Sequence, residues 1–348
     1  MNNKDNNINT NTLKNTKILI KIKNLTKSFS SKKKSSESSI LIANDDISLD
    51  IYEDETLGLV GESGCGKSTL GKCILNLYKN TEGEVLYYRD NIPVNLLELS
   101  EKEIRPIRND LQLIFQDPFS SLNPSMTVYE LISEGPVIHN IYKKNDPLLK
   151  EFVFDLMKKC GLDSEMADRY PHQFSGGQRQ RICIARCLAT NPRFIVCDEA
   201  VSALDVSIQA QILNLLKKIK KKNGLTYLFI SHNISVVKYM SDRVAVMYNG
   251  KIVELAYTDD LFATPLHPYT LSLLNAVPGS VKNISPDIVE TCEITSNNET
   301  SDEYHSDTVN GCAYFNRCPY RMDICKTTIP TLKEHEDNHF VSCHKCLK

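Results

Sequence analysis

The sequence predicts an α/β fold: a parallel sheet covered by helices, an antiparallel β subdomain, an inserted helical subdomain and a small Cys-rich C-terminal extension. From Thr56 onward, short apolar strands are each followed by a helical pattern, and repeated strand–helix units are typical of a parallel sheet. Residues 18–25 and 40–51 have strand-like apolar patterning ahead of these units, which indicates an antiparallel sheet. Helical patterns without such strands fill residues 118–171.

Three strand–helix units define the parallel sheet. They are strand 57–60 with a helix from Lys67, strand 194–197 with helix 207–220, and strand 227–230 with helix 234–240. Each strand is short and apolar throughout, as expected for a strand that is buried on both faces. We find no internal repeat, which predicts one such domain in the chain.

Composition divides the chain into four segments. Residues 1–16 are mainly Asn, Lys, Thr and Asp and predict a disordered tail. Residues 17–279 hold the strands and helices and are assigned to one large domain. Residues 280–310 are polar and acidic, which indicates a linker. Residues 311–348 form the Cys-rich extension.

Length and charge set limits on function. The chain has 348 residues, 41% of them hydrophobic, which is enough for a packed core. Lys and Arg total 41 against 43 Asp and Glu, so a net charge of −2 gives no reason to expect nucleic acid as a partner. No window approaches the ~18 apolar residues of a membrane-spanning helix, and the N-terminus lacks the apolar core of a secretory signal. We therefore expect a cytoplasmic protein.

A glycine-rich loop follows the first strand of the parallel sheet. Its residues are Gly61, Glu62, Ser63, Gly64, Cys65, Gly66, Lys67, Ser68 and Thr69. Glycines allow backbone N–H groups to converge on phosphates, Lys67 supplies positive charge, and Ser68 offers a hydroxyl to Mg²⁺. The alternative is an accidental glycine-rich turn. Because a strand precedes the loop and a helix follows it, we predict a P-loop NTPase core that binds ATP and Mg²⁺.

Two adjacent carboxylates, Asp198 and Glu199, end the second apolar strand. A buried pair of this kind is costly unless it binds a cation. Asp198 can hold Mg²⁺ beside the phosphates, which leaves Glu199 to polarise the attacking water as a general base. The alternative is a solvated turn.

The segment 174–181, with the sequence FSGGQRQR, resembles the signature motif of ABC ATPases. Phe174 replaces the usual Leu and keeps its apolar role. Ser175, Gly176, Gly177 and Gln178 would begin a helix whose exposed N–H groups suit an anion. In the family that anion is the γ-phosphate bound to the partner subunit, so the resemblance implies two cassettes facing head to tail. A plain helix N-cap is the alternative.

Four further positions match the family pattern. Gln116 resembles the loop glutamine that touches Mg²⁺ or water, and His232 resembles the switch histidine that contacts the γ-phosphate. Asp205 matches the loop that crosses to the other subunit, and Phe29 lies where the family stacks an aromatic ring on adenine. The resemblance implies a catalytic group of Glu199, His232 and Gln116. A turn glutamine, a strand-end histidine, a helix N-cap and a core phenylalanine are the respective alternatives.

Longer stretches point to one branch of the family. Residues 116–124, 201–210, 266–270 and 276–278 resemble the ATPase subunits of dipeptide and oligopeptide importers, and among them the second of two paired subunits. The resemblance implies a paired ATPase subunit, two permease subunits, an extracytoplasmic peptide-binding protein and a place at the cytoplasmic face of the membrane. It also implies that the segment after Gln116 meets the membrane subunits. An importer of nickel or another small solute, and a soluble ABC ATPase, are the alternatives.

The extension contains a cysteine pattern of its own, formed by Cys312, Cys318, Cys325 and Cys343. Four thiolates brought together favour Zn²⁺ or an iron–sulfur cluster. Peptide-importer ATPases carry a similar tail that resembles a [4Fe–4S] site, and the resemblance implies the same role here. Cys346 departs from that pattern. Unliganded thiols and a redox or metal sensor are the alternatives.

Overall fold

The computed structural model describes residues 17–31, 39–276 and 311–346. The predictions of a tail at 1–16 and of a linker at 280–310 lie outside these residues, as does 277–278 of the importer-like stretch. Within the described ranges, no helix combines the length and apolarity needed to cross a bilayer.

A four-stranded antiparallel sheet forms the first layer, as predicted. In spatial order its strands are β2 (Ser39–Tyr52), β1 (Ile18–Ser31), β4 (Glu82–Arg89) and β5 (Ile92–Asn95). Alternate residues of β2, namely Ile47, Leu49 and Ile51, are buried. The period of two gives this sheet one face against the core.

An eight-stranded sheet forms the centre of the protein. Its strands, in spatial order, are β11 (Lys333–Glu336), β12 (His339–Val341), β10 (Lys251–Tyr257), β9 (Arg243–Tyr248), β3 (Thr56–Val60), β8 (Thr226–Ile230), β7 (Phe194–Asp198) and β6 (Leu111–Ile114). The five from β9 to β6 are parallel. Every residue of β3, β7, β8 and β9 is buried, because helices or the other sheet cover both faces.

Helices follow the parallel strands as the sequence predicted. Those of the described core are α1 (Lys67–Ile74), α2 (Glu101–Ile107), α7 (Val206–Asn223), α8 (Ile234–Met240), α9 (Thr258–Ala263) and α10 (Pro268–Asn275). α1 follows β3, α7 follows β7 and α8 follows β8, so each predicted strand–helix unit is present. The predicted α/β fold class is confirmed.

Residues 118–171 contain helices and no strand. Together with the helix that follows, they contribute α3 (Pro118–Ser121), α4 (Val128–Ile138), α5 (Pro147–Lys159) and α6 (Gly176–Leu188). Thr127 and Glu130 form a reciprocal cap at the start of α4. Buried apolar side chains such as Ile132, Val153 and Ile182 join these helices to the main core.

The last described segment, 311–346, continues the central sheet. It contains α11 (Asp323–Thr327) and then the hairpin of β11 and β12, whose second strand pairs antiparallel with β10. Glu254 of β10 is fully buried. Its Oε1 accepts the N–H of Leu266 at 2.8 Å and lies 2.7 Å from His339 Nε2, while Oε2 accepts the N–H of His267 at 2.9 Å. The Cys-rich extension therefore shares a sheet and a buried polar network with the domain before it.

Because Glu254 satisfies two backbone N–H groups and one imidazole in the interior, Glu254→Ala should lower the free energy of unfolding by about 3–5 kcal/mol. Urea denaturation followed by circular dichroism measures this change. Glu336→Ala, at an exposed position of β11, is the matched control and should change it by less than about 0.5 kcal/mol. Equal effects of the two substitutions would contradict the assignment.

Candidate functional site

Four neighbouring parallel strands end at one edge of the central sheet. At their ends Leu59 pairs with Ile230, Ile230 with Asp198, and Cys197 with Ile114. This pairing places side by side the segments that the sequence singled out: Gly61–Thr69 after β3, His232 after β8, Asp198 and Glu199 at the end of β7, and Gln116 after β6. Ligands of α/β sheets bind at this edge.

The glycine-rich loop turns tightly between β3 and α1. Gly66 has a φ of 103°, and a Cβ built on it would lie 2.1 Å from the carbonyl oxygen of Ala43. No other residue fits there without moving β2, because the clash is with backbone and the φ is in the left-handed region. The loop conformation thus depends on Gly66.

Lys67 is directed into the loop. Its side chain is buried, and its Nζ donates to the carbonyl oxygens of Gly61 at 2.8 Å and Glu62 at 2.7 Å. The ammonium therefore lies within the loop whose N–H groups would face phosphates. This arrangement suits the binding of a polyphosphate.

Ser68 and Asp198 join the loop to β7. The Ser68 hydroxyl donates to Asp198 Oδ1 at 2.6 Å. Burial raises the pKa of the Asp198 carboxyl, and the hydrogen bond from Ser68 opposes that rise. A hydroxyl and one buried carboxylate are oxygen ligands of the kind that Mg²⁺ takes in addition to phosphate and water. The pair therefore fits the predicted Mg²⁺ site.

Glu199 is held by its neighbours on both sides. One carboxylate oxygen accepts Gln116 Nε2 at 2.8 Å, and the other lies 3.2 Å from His232 Nδ1. Its own φ is 47°, and its backbone N–H donates to the carbonyl oxygen of Ile230 at 3.0 Å. A left-handed non-glycine residue costs about 1–3 kcal/mol and is typical of functional sites. The three predicted catalytic residues are thus brought into direct contact.

A cavity of about 560 Å³ connects these groups. Its lining includes Phe29, most of the glycine-rich loop, and the three predicted catalytic residues Gln116, Glu199 and His232. Phe29 is half-buried, and its ring packs edge-on against Tyr78 with the centroids 5.3 Å apart. Its exposed face makes it available to a flat ligand. Tyr78, which supports it, was not predicted from the sequence.

The predicted signature residues do not line this cavity. Ser175 Oγ accepts the N–H of Gln178 at 3.3 Å, and Gln178 Oε1 accepts the N–H of Ser175 at 3.0 Å, so the two form the cap of α6. Gly177 packs against α7, since a Cβ there would lie 2.5 Å from Ile208. Asp205 is exposed at the start of α7 and makes no capping hydrogen bond with its side chain. None of these residues lines the cavity beside the glycine-rich loop of their own chain.

The structure adds two residues that touch the loop and that sequence analysis missed as site residues. The Tyr269 hydroxyl accepts the backbone N–H of Glu62 at 2.8 Å, and Arg317 of the extension forms two hydrogen bonds with the Glu62 carboxylate. Tyr269 lies in the importer-like stretch 266–270, which was the only signal of its importance. Nothing in the sequence around Arg317 indicated a contact so far upstream.

The thiols of the extension influence one another without forming a recognisable metal site. Burial, with a contribution from neighbouring thiols, raises the pKa of Cys312 and Cys318. A hydrogen bond with Cys346 lowers the pKa of Cys343 to about 6. In the described parts of the chain, no group of three or more His, Cys, Asp or Glu side chains is arranged to hold a metal ion. The arrangement therefore does not support the expected iron–sulfur cluster.

Two family models match the chain. One, described as ABC transporter, matches residues 44–202, and the other, described as oligopeptide/dipeptide transporter, C-terminal region, matches residues 253–325. The first spans the loop and Glu199. The second includes Tyr269 and Arg317.

Named relatives agree with both matches. The oligopeptide transport ATP-binding protein OppF of Bacillus subtilis (strain 168) is 56% identical over 236 residues, which cover 68% of this chain and 76% of that protein. The oligopeptide transport ATP-binding protein AppF of the same organism is 47% identical over 308 residues, covering 87% and 89%.

Solved structures share the fold. The ATP-binding cassette MJ0796, described as a dimer in a post-hydrolysis state with ADP and Pi, has a TM-score of 0.60 at 32% identity and covers 69% of this chain and 98% of that chain. The protein cbiO1 from Clostridium perfringens, described as part of an ABC transporter complex, has a TM-score of 0.59 at 28% identity, covering 70% and 90%.

Gly66→Ala should weaken the binding of a fluorescent ATP analogue by at least about tenfold, because the left-handed φ and the contact with Ala43 force the loop to move. Titration of the purified chain measures the affinity. The matched control is Gly224→Ala, which also has a positive φ but has no atom within 4 Å of the added Cβ. Unchanged affinity in the Gly66 variant would contradict the role of this loop.

Proposed function

Because this chain belongs to the ABC transporter family of ATP-hydrolysing cassettes, we propose that it powers the import of oligopeptides across the cytoplasmic membrane. The observation that carries this proposal is the coincidence, in one chain, of a cavity lined by the glycine-rich loop and Glu199 with a C-terminal region of the oligopeptide/dipeptide transporter type. The names of the relatives OppF and AppF, both oligopeptide transport ATP-binding proteins, support the same substrate class. A nickel or other small-solute importer, or a soluble ABC ATPase, has no comparable support.

The residues at the edge of the sheet have separate roles in this proposal. Backbone N–H groups of residues 61–69 and the ammonium of Lys67 bind the phosphates of ATP, and Phe29 stacks on the adenine. Ser68 and Asp198 would hold Mg²⁺, which would neutralise charge on the outer phosphates. These contacts fix the γ-phosphate next to Glu199.

Glu199 accepts a proton from the attacking water as the general base. Gln116 and His232 orient its carboxylate, because each contacts a different oxygen at 2.8 and 3.2 Å. Held in this way, the carboxylate loses little freedom when water arrives, and that preorganisation lowers the barrier. The side chain of His232 is 56% accessible and lines the cavity, so it is placed to contact the γ-phosphate as well.

The signature residues complete the site of a second subunit. Ser175, Gly176, Gly177 and Gln178 lie at the N-terminus of α6 and do not line the cavity of their own chain, and Asp205 is exposed at the start of α7. We infer that each ATP is enclosed by the loop of one subunit and by α6 of its partner. The dimeric form of the cassette MJ0796 supports this arrangement. The isolated chain should therefore hydrolyse ATP slowly.

The wider assembly follows from the same reasoning. A paired ATPase subunit, most simply a different chain, faces this one, and two permease subunits anchor the pair peripherally at the cytoplasmic face of the membrane. An extracytoplasmic peptide-binding protein would deliver the substrate. Phe115 and Phe119, next to Gln116, are exposed, and they offer the permeases an apolar surface directly connected to the catalytic group.

The proposal includes the domain boundaries, which lie at 17–279, with a helical subdomain at about 118–171, and at 311–348.

The proposal also includes a [4Fe–4S] cluster held by Cys312, Cys318, Cys325 and Cys343. Only the resemblance of the cysteine pattern to the tail of peptide-importer ATPases supports it, because the described part of the extension shows no metal-binding arrangement. Iron and sulfide analysis after anaerobic purification tests the cluster, and zinc or no metal would exclude it.

Glu199→Gln should leave ATP binding unchanged and lower turnover by roughly 10²–10⁴-fold, because the amide cannot accept the proton of water. The ATPase rate of the reconstituted transporter and the affinity for ATP measure the two effects. Glu165→Gln, at an exposed site of the helical segment, is the matched control and should keep its activity. Normal turnover in the Glu199→Gln variant would contradict the assignment of Glu199 as the general base.

Uptake into proteoliposomes tests the substrate class. With the permeases and the binding protein present, labelled tri- to pentapeptides should be accumulated with ATP inside, and the Glu199→Gln variant should abolish accumulation. Nickel uptake under the same conditions would support the alternative instead. Stimulation of the ATPase rate by peptide gives an independent reading of coupling.

A further inference from the structure

A bidentate ion pair joins the extension to the glycine-rich loop. Arg317 Nη1 lies 2.9 Å from Glu62 Oε2, and Nη2 lies 2.9 Å from Oε1. Parallel pairs of this kind fix orientation as well as distance, which a lysine in the same place could not do. The extension therefore makes a directed contact with the second residue of the loop.

Glu62 is held at three points. Arg317 binds its carboxylate, the Tyr269 hydroxyl accepts its backbone N–H at 2.8 Å, and Lys67 Nζ donates to its carbonyl oxygen at 2.7 Å. Because the same Lys67 is the cation that meets the phosphates, displacement of Glu62 would displace this ammonium. Glu62 therefore connects the ion pair with Arg317 to the ammonium of Lys67 at the proposed phosphate site.

An aromatic cluster fixes Arg317 in place. Tyr248, Tyr269 and Tyr314 pack on one another with ring centroids 4.7 to 5.6 Å apart. The guanidinium of Arg317 lies 5.8 Å from the rings of Tyr248 and Tyr314. Tyr314 is buried in the main core and begins the short helical turn that carries Arg317. This support reduces the side-chain entropy that an exposed ion pair usually loses.

We propose that Arg317 is a positioning residue for ATP binding, through which the C-terminal extension holds the glycine-rich loop in its phosphate-receiving conformation. The inference rests on the proposed role of residues 61–69 in binding ATP. Arg317 does not touch the reacting atoms. Its effect should appear in the affinity for nucleotide and not in the chemical step, because Glu199 and its partners lie on other strands.

The full-length chain carrying Arg317→Ala should bind N-methylanthraniloyl-ATP about 2- to 5-fold more weakly, the range expected for an ion pair of this exposure. Amide hydrogen exchange of residues 62–66 should become faster at the same time. The nucleotide affinity of Arg317→Lys should lie between those of Arg317→Ala and the wild type, because lysine keeps the charge but not the paired geometry. In the reconstituted transporter the KM for ATP should rise while kcat changes little.

Two comparisons decide the outcome. The control is Arg321→Ala, because Arg321 lies on the same extension with its guanidinium 6.0 Å from the ring of Phe315. This variant should keep the wild-type nucleotide affinity and the wild-type amide exchange of residues 62–66. In a chain that already carries Glu62→Gln, Arg317→Ala should have less than half of its effect in the wild-type background. Equal effects of the Arg317 and Arg321 variants, or wild-type affinity and exchange in Arg317→Ala, would overturn the proposal.

The proposed ATP site is tested separately by Lys67→Ala. Loss of nucleotide binding in this variant, combined with wild-type behaviour of Arg317→Ala, would leave the ATP site standing and remove the role of Arg317. Retained binding in Lys67→Ala would remove the site itself. Melting temperatures of all variants identify any loss of folding, and Arg317→Gln replaces the alanine variant if that one unfolds.

Discussion

Parallel pairing of β6, β7, β8 and β3 is the constraint on which the site depends. Each strand contributes only one or two chemically active residues, and none of these could act alone. The pairing aligns the ends of the four strands, so that segments far apart in sequence meet within one cavity. Because β3, β7 and β8 are buried on both faces, their register is fixed by packing and not by the polar residues that follow them. The chemistry is therefore positioned by apolar side chains that take no part in it.

Much of this arrangement could be predicted from the sequence because the signals are local. The glycines and lysine of residues 61–69, and the carboxylates after a buried strand, have defined chemical roles at short spacing. The alternation in 40–51 and the units from Thr56 gave the right sheets. Contacts between distant side chains are different. The Glu62–Arg317 pair, the Tyr269 hydroxyl and the hydrogen bonds of Glu199 depend on tertiary packing, which no spacing expresses.

The cysteines of the extension are a second case in which sequence spacing does not determine tertiary contacts. Four cysteines in 312–343 supply the right donor atoms for a metal, but spacing does not determine whether their side chains converge. In the structure they influence one another's ionisation without forming a ligand set. Ser175 and Asp205 show a further limit, since the roles proposed for them require a second chain. Their sequence pattern does not show how such an interface would be arranged.

The hairpin of β11 and β12 also ends the central sheet. Without it, β10 would present its unpaired N–H and C=O groups at the edge, and such edges promote intermolecular strand pairing. Within the described chain the outermost strand is instead β11, which is only four residues long and carries Lys333, Glu334, His335 and Glu336, all exposed. Short, charged edge strands resist this kind of association. The C-terminal segment thus replaces an edge that favours intermolecular strand pairing with one that resists it, a property that concerns solubility and not chemistry.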